Sequence, residues 1–426
     1  MTELSFDGLG LAEPLCRALT AENHSTPTPI QRRAIPFLLE GKDILGIAQT
    51  GTGKTAAFVL PILHRLMNLP HELTPRAARV LILAPTRELA LQIAERTRAY
   101  GRNLHLRQAV VLGGVNQNSQ VRALERGVDI LIATPGRLLD LYNQRHVRLD
   151  LIKVLVLDEA DRMLDMGFVR DVRKIVAAAP KDRQTLLFSA TIPADIARLA
   201  AEILRAPVRV DVSPVTMTAD KIDQHVYFVH TSGKRDLLVE LLADRTLERV
   251  LVFTRTKHGA NKVAQALQKS NIQSDAIHGN KTQNARQRAL ENFRKGSARV
   301  LVATDIAARG IDVAGITHVI NYELPNIPES YVHRIGRTAR AGAGGIAISF
   351  CDPSERAFLR DIEKLTRSTL AVAGNLLGQH VPAHDEKRHA PRPPHQNRPH
   401  QGKPYNGKPK NRRRFRGQRP APRHAA

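Results

Sequence analysis

Short apolar runs alternate with amphipathic stretches along most of this chain, and the alternation by itself predicts the architecture. Candidate strands fall at residues 43–48, 80–84, 109–112, 129–133, 154–157 and 185–188. The clearest, Val154-Leu155-Val156-Leu157, has no polar interruption, as expected of a strand buried on both faces of a parallel sheet. Stretches such as 87–100 and 168–178 carry apolar residues at helical spacing between these runs. Strand, helix, strand in repetition implies βαβ units and a parallel sheet with helices on both faces. The pattern weakens around a Pro-containing connector, then resumes with runs at 224–229, 249–253, 273–277, 299–303, 317–320 and 345–350. The expected fold class is α/β, with two similar-sized parallel-sheet domains, 1–207 and 221–378, joined by a linker at 208–220.

The rhythm stops near Gly378. Residues 387–426 hold 13 Lys or Arg and no Asp or Glu, amid Pro, His, Asn, Gln and Gly. Such a segment buries too little to offset its ordering entropy, so 379–426 is expected to be a disordered basic tail. Within it, Arg412-Arg413-Arg414-Phe415-Arg416 sets a ring among cations, a combination that can stack on a base. The 426 residues carry 64 Lys and Arg against 40 Asp and Glu, a formal net charge of +24. That excess calls for a polyanionic partner, most often nucleic acid. Cys16 and Cys351 lie far apart without metal-ligand spacing, so free thiols in a reducing compartment are expected. No apolar run approaches the ~18 residues of a membrane span, and the polar N-terminus lacks signal-peptide character. A cytoplasmic protein without membrane contact is expected, and the lack of heptads favours a monomer.

Two segments bring in chemistry. Ala48-Gln49-Thr50-Gly51-Thr52-Gly53-Lys54-Thr55 follows a predicted strand and approximates the phosphate-binding loop G-x-x-x-x-G-K-[ST], with Ala where the strict pattern opens on Gly. Gly51 and Gly53 let backbone N–H groups turn inward around phosphates, Lys54 reaches the β/γ-phosphates, and the Thr55 hydroxyl is offered to Mg2+. Asp158-Glu159-Ala160-Asp161 closes the strand at 154–157. There Asp158 is placed to hold the metal through its water shell, and Glu159 to orient and deprotonate the attacking water. A nucleoside triphosphatase follows. Ser189-Ala190-Thr191 ends another strand, where small hydroxyl residues serve equally well as a helix cap.

The spelling Asp158-Glu159-Ala160-Asp161 resembles the DEAD-box RNA helicases of superfamily 2, and the resemblance extends over about residues 6–350. In that family the phosphate loop usually opens on Ala. The resemblance implies two tandem RecA-like domains, ATP with Mg2+ as cofactor, and RNA as partner. Pro27-Thr28-Pro29-Ile30-Gln31 resembles the adenine-reading Q motif, with Phe6 at its isolated upstream aromatic position. Pro85-Thr86-Arg87-Glu88-Leu89, Gly113-Gly114 and Thr134-Pro135-Gly136-Arg137 match motifs assigned to the RNA backbone, which implicates Thr86, Arg87, Gly114, Thr134, Gly136 and Arg137. Arg137 would open a helix that bends the bound strand, and Ser189 and Thr191 would couple the nucleotide site to strand separation.

The second domain repeats the resemblance. His333-Arg334-Ile335-Gly336-Arg337-Thr338-Ala339-Arg340 matches the family's last motif, with Ala339 where Gly is commoner. Arg337 and Arg340, three apart, are expected to share a helical face and act as arginine fingers on the γ-phosphate. By resemblance Thr304 and Gly310 touch RNA, Asp312 meets the ATP ribose, and Gln283 and Arg286 form a Gln-x-x-Arg backbone-binding motif. Closure of the domains over ATP would bring Arg337, Arg340 and Asp312 to the nucleotide and align RNA-backbone loops along one bent strand. The expected function is an ATP-dependent RNA helicase with local, non-processive unwinding, resembling the bacterial RhlE-like group in its compact core and basic tail. An RNA clamp or annealing chaperone driven mainly by the tail is the alternative, separable by deleting residues 387–426. A DNA translocase of the same two-domain plan is a third, separable by comparing RNA with DNA as activator.

Overall fold

Near-continuous apolar runs become the strands of two parallel sheets. The structure, a computed structural model, describes residues 5–49, 51–69, 73–212, 222–308, 313, 315–339 and 344–377. The expected basic tail, together with Thr50, Gly310, Asp312 and Arg340, lies outside the described residues.

The first sheet comprises β1 (Ile44–Ile47), β2 (Ala78–Leu83), β3 (Gln108–Val111), β4 (Val128–Ala133), β5 (Val154–Leu157), β6 (Gln184–Ser189) and β7 (Val208–Asp211). The second comprises β8 (Ile222–Phe228), β9 (Val250–Thr254), β10 (Ser274–Ile277), β11 (Val300–Thr304), β12 (His318–Asn321), β13 (Gly345–Cys351) and β14 (Ala371–Asn375). The orders are β3-β4-β2-β5-β6-β1-β7 and β10-β11-β9-β12-β13-β8-β14, so both sheets are wired identically when strands are counted within each. Every residue of β4, β5 and β6 is buried, because helices cover both faces. One face of the first sheet packs Phe58, Ile93 and Phe188, and the other packs Leu138, Leu155 and Ile196.

Two strands depart from expectation. Residues 208–211 were expected in the linker, yet Val208–Asp211 forms β7 and pairs in parallel with β1. The linker assignment is corrected for those four residues, and residues 213–220 lie outside the described residues. Of its four residues only Val210 is buried, so its sequence lacks the two-faced apolar signature. Ala371–Asn375 forms the other unexpected edge, β14, against β8.

Register places the chemistry. Ile47 of β1 lies level with Ser189 of β6, while Leu83 of β2 lies level with Leu157 of β5 and Ala133 of β4. The loops carrying Lys54, Asp158, Ser189, Thr86 and Thr134 therefore emerge from one edge, the carboxyl ends of the strands, where open parallel sheets bind ligands. Among the described residues no helix is long and apolar enough to cross a membrane.

Candidate active site and nucleic-acid interface

The phosphate loop runs from β1 into the helix Lys54–Met67. Gly53 caps that helix at φ 91°, and a Cβ there would lie 2.4 Å from Gln31 Nε2, so glycine is required twice over. Thr52 Oγ1 donates to the Gln49 carbonyl (2.7 Å), closing the turn. Lys54 is buried and its Nζ donates to the Ala48 carbonyl at 2.8 Å. Gln31 accepts from the Thr28 N–H (2.8 Å) and donates to the Gly53 carbonyl (3.1 Å), tying the expected adenine-reading turn to the phosphate loop. Phe6, Gln31, Gly51, Gly53, Lys54, Thr55, Asp158 and Glu159 line one cleft of about 560 Å³, within the range usual for a small-molecule site.

Both carboxylates at the end of β5 are buried. Glu159 sits in the left-handed region at φ 53°, a conformation that costs a non-glycine residue about 1–2 kcal/mol and turns the chain sharply into the helix Ala160–Asp165. Glu159 Oε2 accepts from Arg162 Nη1 at 2.6 Å, which fixes the carboxylate in the cleft. Burial pushes the Asp158 carboxyl up to about 7, against the pull of Lys54 and with a further push from Glu159. Its Oδ1 is buried without a hydrogen-bond partner.

Ser189 and Thr191, expected as couplers, meet a residue the motif reading left without a role. Asp161 Oδ2 accepts from the N–H groups of Ala190 (3.2 Å) and Thr191 (3.0 Å) and from Thr191 Oγ1 (3.0 Å). The Asp161 N–H in turn donates to Ser189 Oγ (3.2 Å), which donates to the Thr191 carbonyl (2.7 Å). The helix that follows Glu159 is thus bound to the end of β6. The spelling of the motif singles out Asp161, but only the fold shows what it holds.

The residues expected at RNA cluster at the same edge. Thr86 caps the helix Arg87–Tyr100 by accepting from the Leu89 N–H (3.3 Å). Gly114 adopts φ 72°, and a Cβ there would fall 2.3 Å from Arg87 Nη1, so the glycine leaves the space that the guanidinium fills. Arg137 sits in the first turn of the helix Pro135–Asn143, preceded by Thr134 and Gly136, and donates to the Val115 carbonyl at 3.4 Å. Burial and the nearby Arg286 lower the Arg87 pKa.

The Gln-x-x-Arg pair meets the first domain. Glu88, buried and unassigned from sequence, accepts from Gln283 Nε2 (3.2 Å) and Arg286 Nη2 (2.8 Å). Gln283 also accepts from Arg87 Nη1 at 3.5 Å. Arg294, from the same second-domain helix Gln283–Lys295, lines the phosphate-loop cleft. Its side chain carries no motif signal in the sequence.

The arginine-finger segment differs from expectation. Its helix, Pro328–Ile335, stops before Arg337, because Gly336 and Arg337 turn away and Ala339 adopts φ 55°. Arg337 therefore lies beyond the helix, while Arg340 falls outside the described residues. Arg337 is buried, donates from Nε to the His333 carbonyl (3.2 Å), and lines a small cavity with Phe253, Asp305 and Arg334 rather than the phosphate-loop cleft. Arg334 is 1% exposed and pairs with both oxygens of Asp305 (2.6 and 2.7 Å), Asn321 Oδ1 (3.1 Å) and the Glu323 carbonyl (2.7 Å). It anchors the residue directly after Thr304, the end of β11.

Comparison with known proteins agrees with this geometry. The family described as DEAD/DEAH box helicase matches residues 28–199, and the helicase conserved C-terminal domain matches residues 233–342. The chain is 44% identical over 365 residues to the ATP-dependent RNA helicase CshA of Listeria monocytogenes, covering 86% of this chain and 69% of that protein. It is 42% identical over 366 residues to the DEAD-box ATP-dependent RNA helicase CshA of Bacillus subtilis, covering 85% and 73%. Among solved structures, S. cerevisiae Dbp5 bound to RNA and ADP BeF3 aligns with a TM-score of 0.77 at 33% identity, over 87% of this chain and 95% of that one. Mss116p bound to ssRNA and AMP-PNP aligns with a TM-score of 0.77 at 28% identity, over 88% and 80%.

Proposed function

Because the chain belongs to the DEAD-box family of ATP-dependent RNA helicases, we propose that each ATP serves to open a short stretch of RNA duplex rather than to track along a strand. ATP occupies the first-domain cleft, with Lys54 at the β/γ-phosphates, Gln31 and Phe6 at the adenine, and Glu159 orienting the attacking water. Magnesium fits the site, since the unpartnered Asp158 Oδ1 and the Thr55 hydroxyl line one cleft, and the ion would shield charge on the β- and γ-phosphates.

The single observation that carries the reading is the placement of both sets of residues at one sheet edge. Asp161 binds the hydrolytic strand end to Ser189 and Thr191, and Glu88 in the first turn of the helix Arg87–Tyr100 binds Gln283 and Arg286 of the second domain. A change at the γ-phosphate can thus reach the groups facing RNA through buried bonds. Thr86, Arg87, Gly114, Thr134, Gly136 and Arg137, with Thr304 and Gly310, hold the strand by phosphate and sugar, so binding is independent of sequence. Arg337 and Arg340 complete the γ-phosphate site and Asp312 the ribose site when the domains draw fully together. Loss of the γ-phosphate then frees the strand.

The protein works as a cytoplasmic monomer. The compact core and basic tail support a place in the RhlE-like group, whereas the relatives above are named CshA. The test is ATP turnover with single-stranded RNA or DNA of matched sequence, followed by unwinding of duplexes of increasing length. RNA-specific stimulation, with unwinding that fades as duplexes lengthen, is expected. Equal stimulation by DNA, or unwinding indifferent to length, overturns the reading.

A further inference from the structure

A cavity of about 590 Å³ lies at the edge of the first sheet opposite the catalytic loops, lined by Arg76, Tyr142, Arg145, Val147, Arg148 and Asp150 among others. Arg76 lies two residues before β2, and its carbonyl accepts from the Arg148 N–H, so the cavity belongs to the amino ends of the strands. Val147 and Leu149 form a buried apolar floor. Arg148 is paired with Asp150 at 2.5 Å. Arg76 and Arg145 are different: both are exposed, and among the described residues neither guanidinium has a hydrogen-bond or ion-pair partner. Tyr142, 36% exposed, lines the same cavity.

Backbone strain provides an independent observation. Arg76 adopts φ 60° and Arg145 φ 61°. A left-handed conformation costs such residues about 1–2 kcal/mol each and is easier for Gly or Asn. Two turns that would fold more readily with other residues thus present free cations to one cavity. Strain of this kind is a pointer to function when the strained residue also has chemistry to offer.

The helix Pro135–Asn143 connects this cavity to the catalytic edge. Its first turn carries Gly136 and Arg137, and its other end carries Tyr142, with Arg145 in the turn beyond. Nine helical residues span about 13 Å.

We propose that this cavity is a second RNA subsite, which holds the single strand after it has passed the helix Pro135–Asn143. Arg76 and Arg145 take phosphates, and Tyr142 stacks on a base over the apolar floor. The subsite rests on the reading above that Arg137 touches the strand. It makes affinity depend on RNA length, since a strand filling only the catalytic groove never reaches it.

The test is binding of oligouridines of about 5 and about 20 nucleotides, either side of the site sizes usual for single-strand binders, by the full chain and three variants. Arg76→Asn/Arg145→Asn retains side chains that tolerate the left-handed region. It is expected to bind the long strand about tenfold more weakly, with a log–log salt slope shallower by about 1.4, and the short strand unchanged. Tyr142→Ala is expected to weaken the long strand alone by about fivefold or more. Arg137→Gln should weaken both lengths. If it weakens neither, the assignment of Arg137 falls, while the length-dependent loss in the other variants still reports on the cavity. Equal effects on the two lengths, or none, overturn the subsite. So does loss of binding to a polyglutamate peptide with RNA binding intact, which would assign the cavity to an acidic protein segment.

Discussion

The two sheets share one strand order, yet the ends of their corresponding first strands have opposite fates. After β1 the chain turns through Gly53 at φ 91° and starts a helix at Lys54; after β8 it passes through Gly233 at φ −86° and starts a helix at Lys234. Both lysines are buried. Lys54 bonds a single backbone carbonyl and faces a cleft. Lys234 pairs with Asp352 Oδ2 (3.2 Å) and with Glu355, both supplied just beyond β13. The equivalent strand end in the first sheet, after β6, offers Ser189, Ala190 and Thr191 instead. A buried cation needs an anion. The second domain provides one from its own chain, while in the first the proposed site leaves the place to the phosphates of a nucleotide.

Substitutions that separate these two lysines break or sharpen the comparison. The largest effect is expected in the first domain, where Lys54→Ala or Glu159→Gln should lower ATP hydrolysis by about 10²–10⁴-fold. Phosphate release measured at saturating RNA checks this, and activity near that of the wild type would remove either residue from the chemistry. Lys234→Met should act on stability instead. It takes the lysine from Asp352 and Glu355, and because Arg255 still pairs with Glu355 at 3.3 Å the cost is expected at the low end of about 3–5 kcal/mol. Denaturant unfolding reads that loss, and nucleotide binding by the variant below its transition should match the wild type. A folded Lys234→Met protein that no longer bound nucleotide would mean that the second lysine also serves the ligand.

These contrasts mark how far the sequence could be read. Strands buried on two faces, such as β4, β5 and β11, declare themselves as apolar runs. The two unexpected strands, β7 and β14, are edges: Val210 is the one buried residue of the former, and β14 has none. The reasons are physical, because an edge strand is held by backbone bonds that any sequence can make. At the site, motif spelling pointed to Asp158, Glu159 and Lys54, which share one cleft. It could not show that Arg162 clasps Glu159 or that Glu88 receives Arg286, since a buried pair depends on register and domain placement. The end of the Pro328–Ile335 helix was misread for a related reason. A helical spacing of cations outlasts the helix itself, which Gly336 brings to a close.

A smaller effect tests the same contrast through pH. Burial raises Asp158 from its usual 3.8 to about 7 in the nucleotide-free protein. A carboxyl whose folded pKa is raised contributes stability at low pH, and that contribution is lost as pH climbs from about 4 to about 7. Asp158→Asn removes the ionisation. The variant should match the wild type near pH 4, gain on it through neutrality, and end about 2–4 kcal/mol more stable above pH 8. Urea unfolding across that range provides the comparison. A difference that did not change with pH would show that the site tolerates the ionised carboxylate without nucleotide.

The smallest effect concerns Ala339, which occupies a left-handed turn in the second domain as Gly53 does in the first. At Gly53 an added Cβ collides with Gln31. At Ala339 the methyl is buried against the cluster that contains Tyr331, Ile335 and Leu359, so it has a place to go. Three contributions decide Ala339→Gly. Relief of the left-handed conformation stabilises by about 1–2 kcal/mol. The greater freedom of glycine in the unfolded chain opposes this by about 0.4–1 kcal/mol. Loss of one buried methyl opposes it by about 0.8 kcal/mol. The sum lies near zero, and the melting transition should move by no more than about 0.8 kcal/mol in equivalent stability. A loss well beyond that would show that packing of the methyl, rather than the turn, holds the segment that presents Arg337. A gain of similar size would show that strain at Ala339 is held in place by its surroundings.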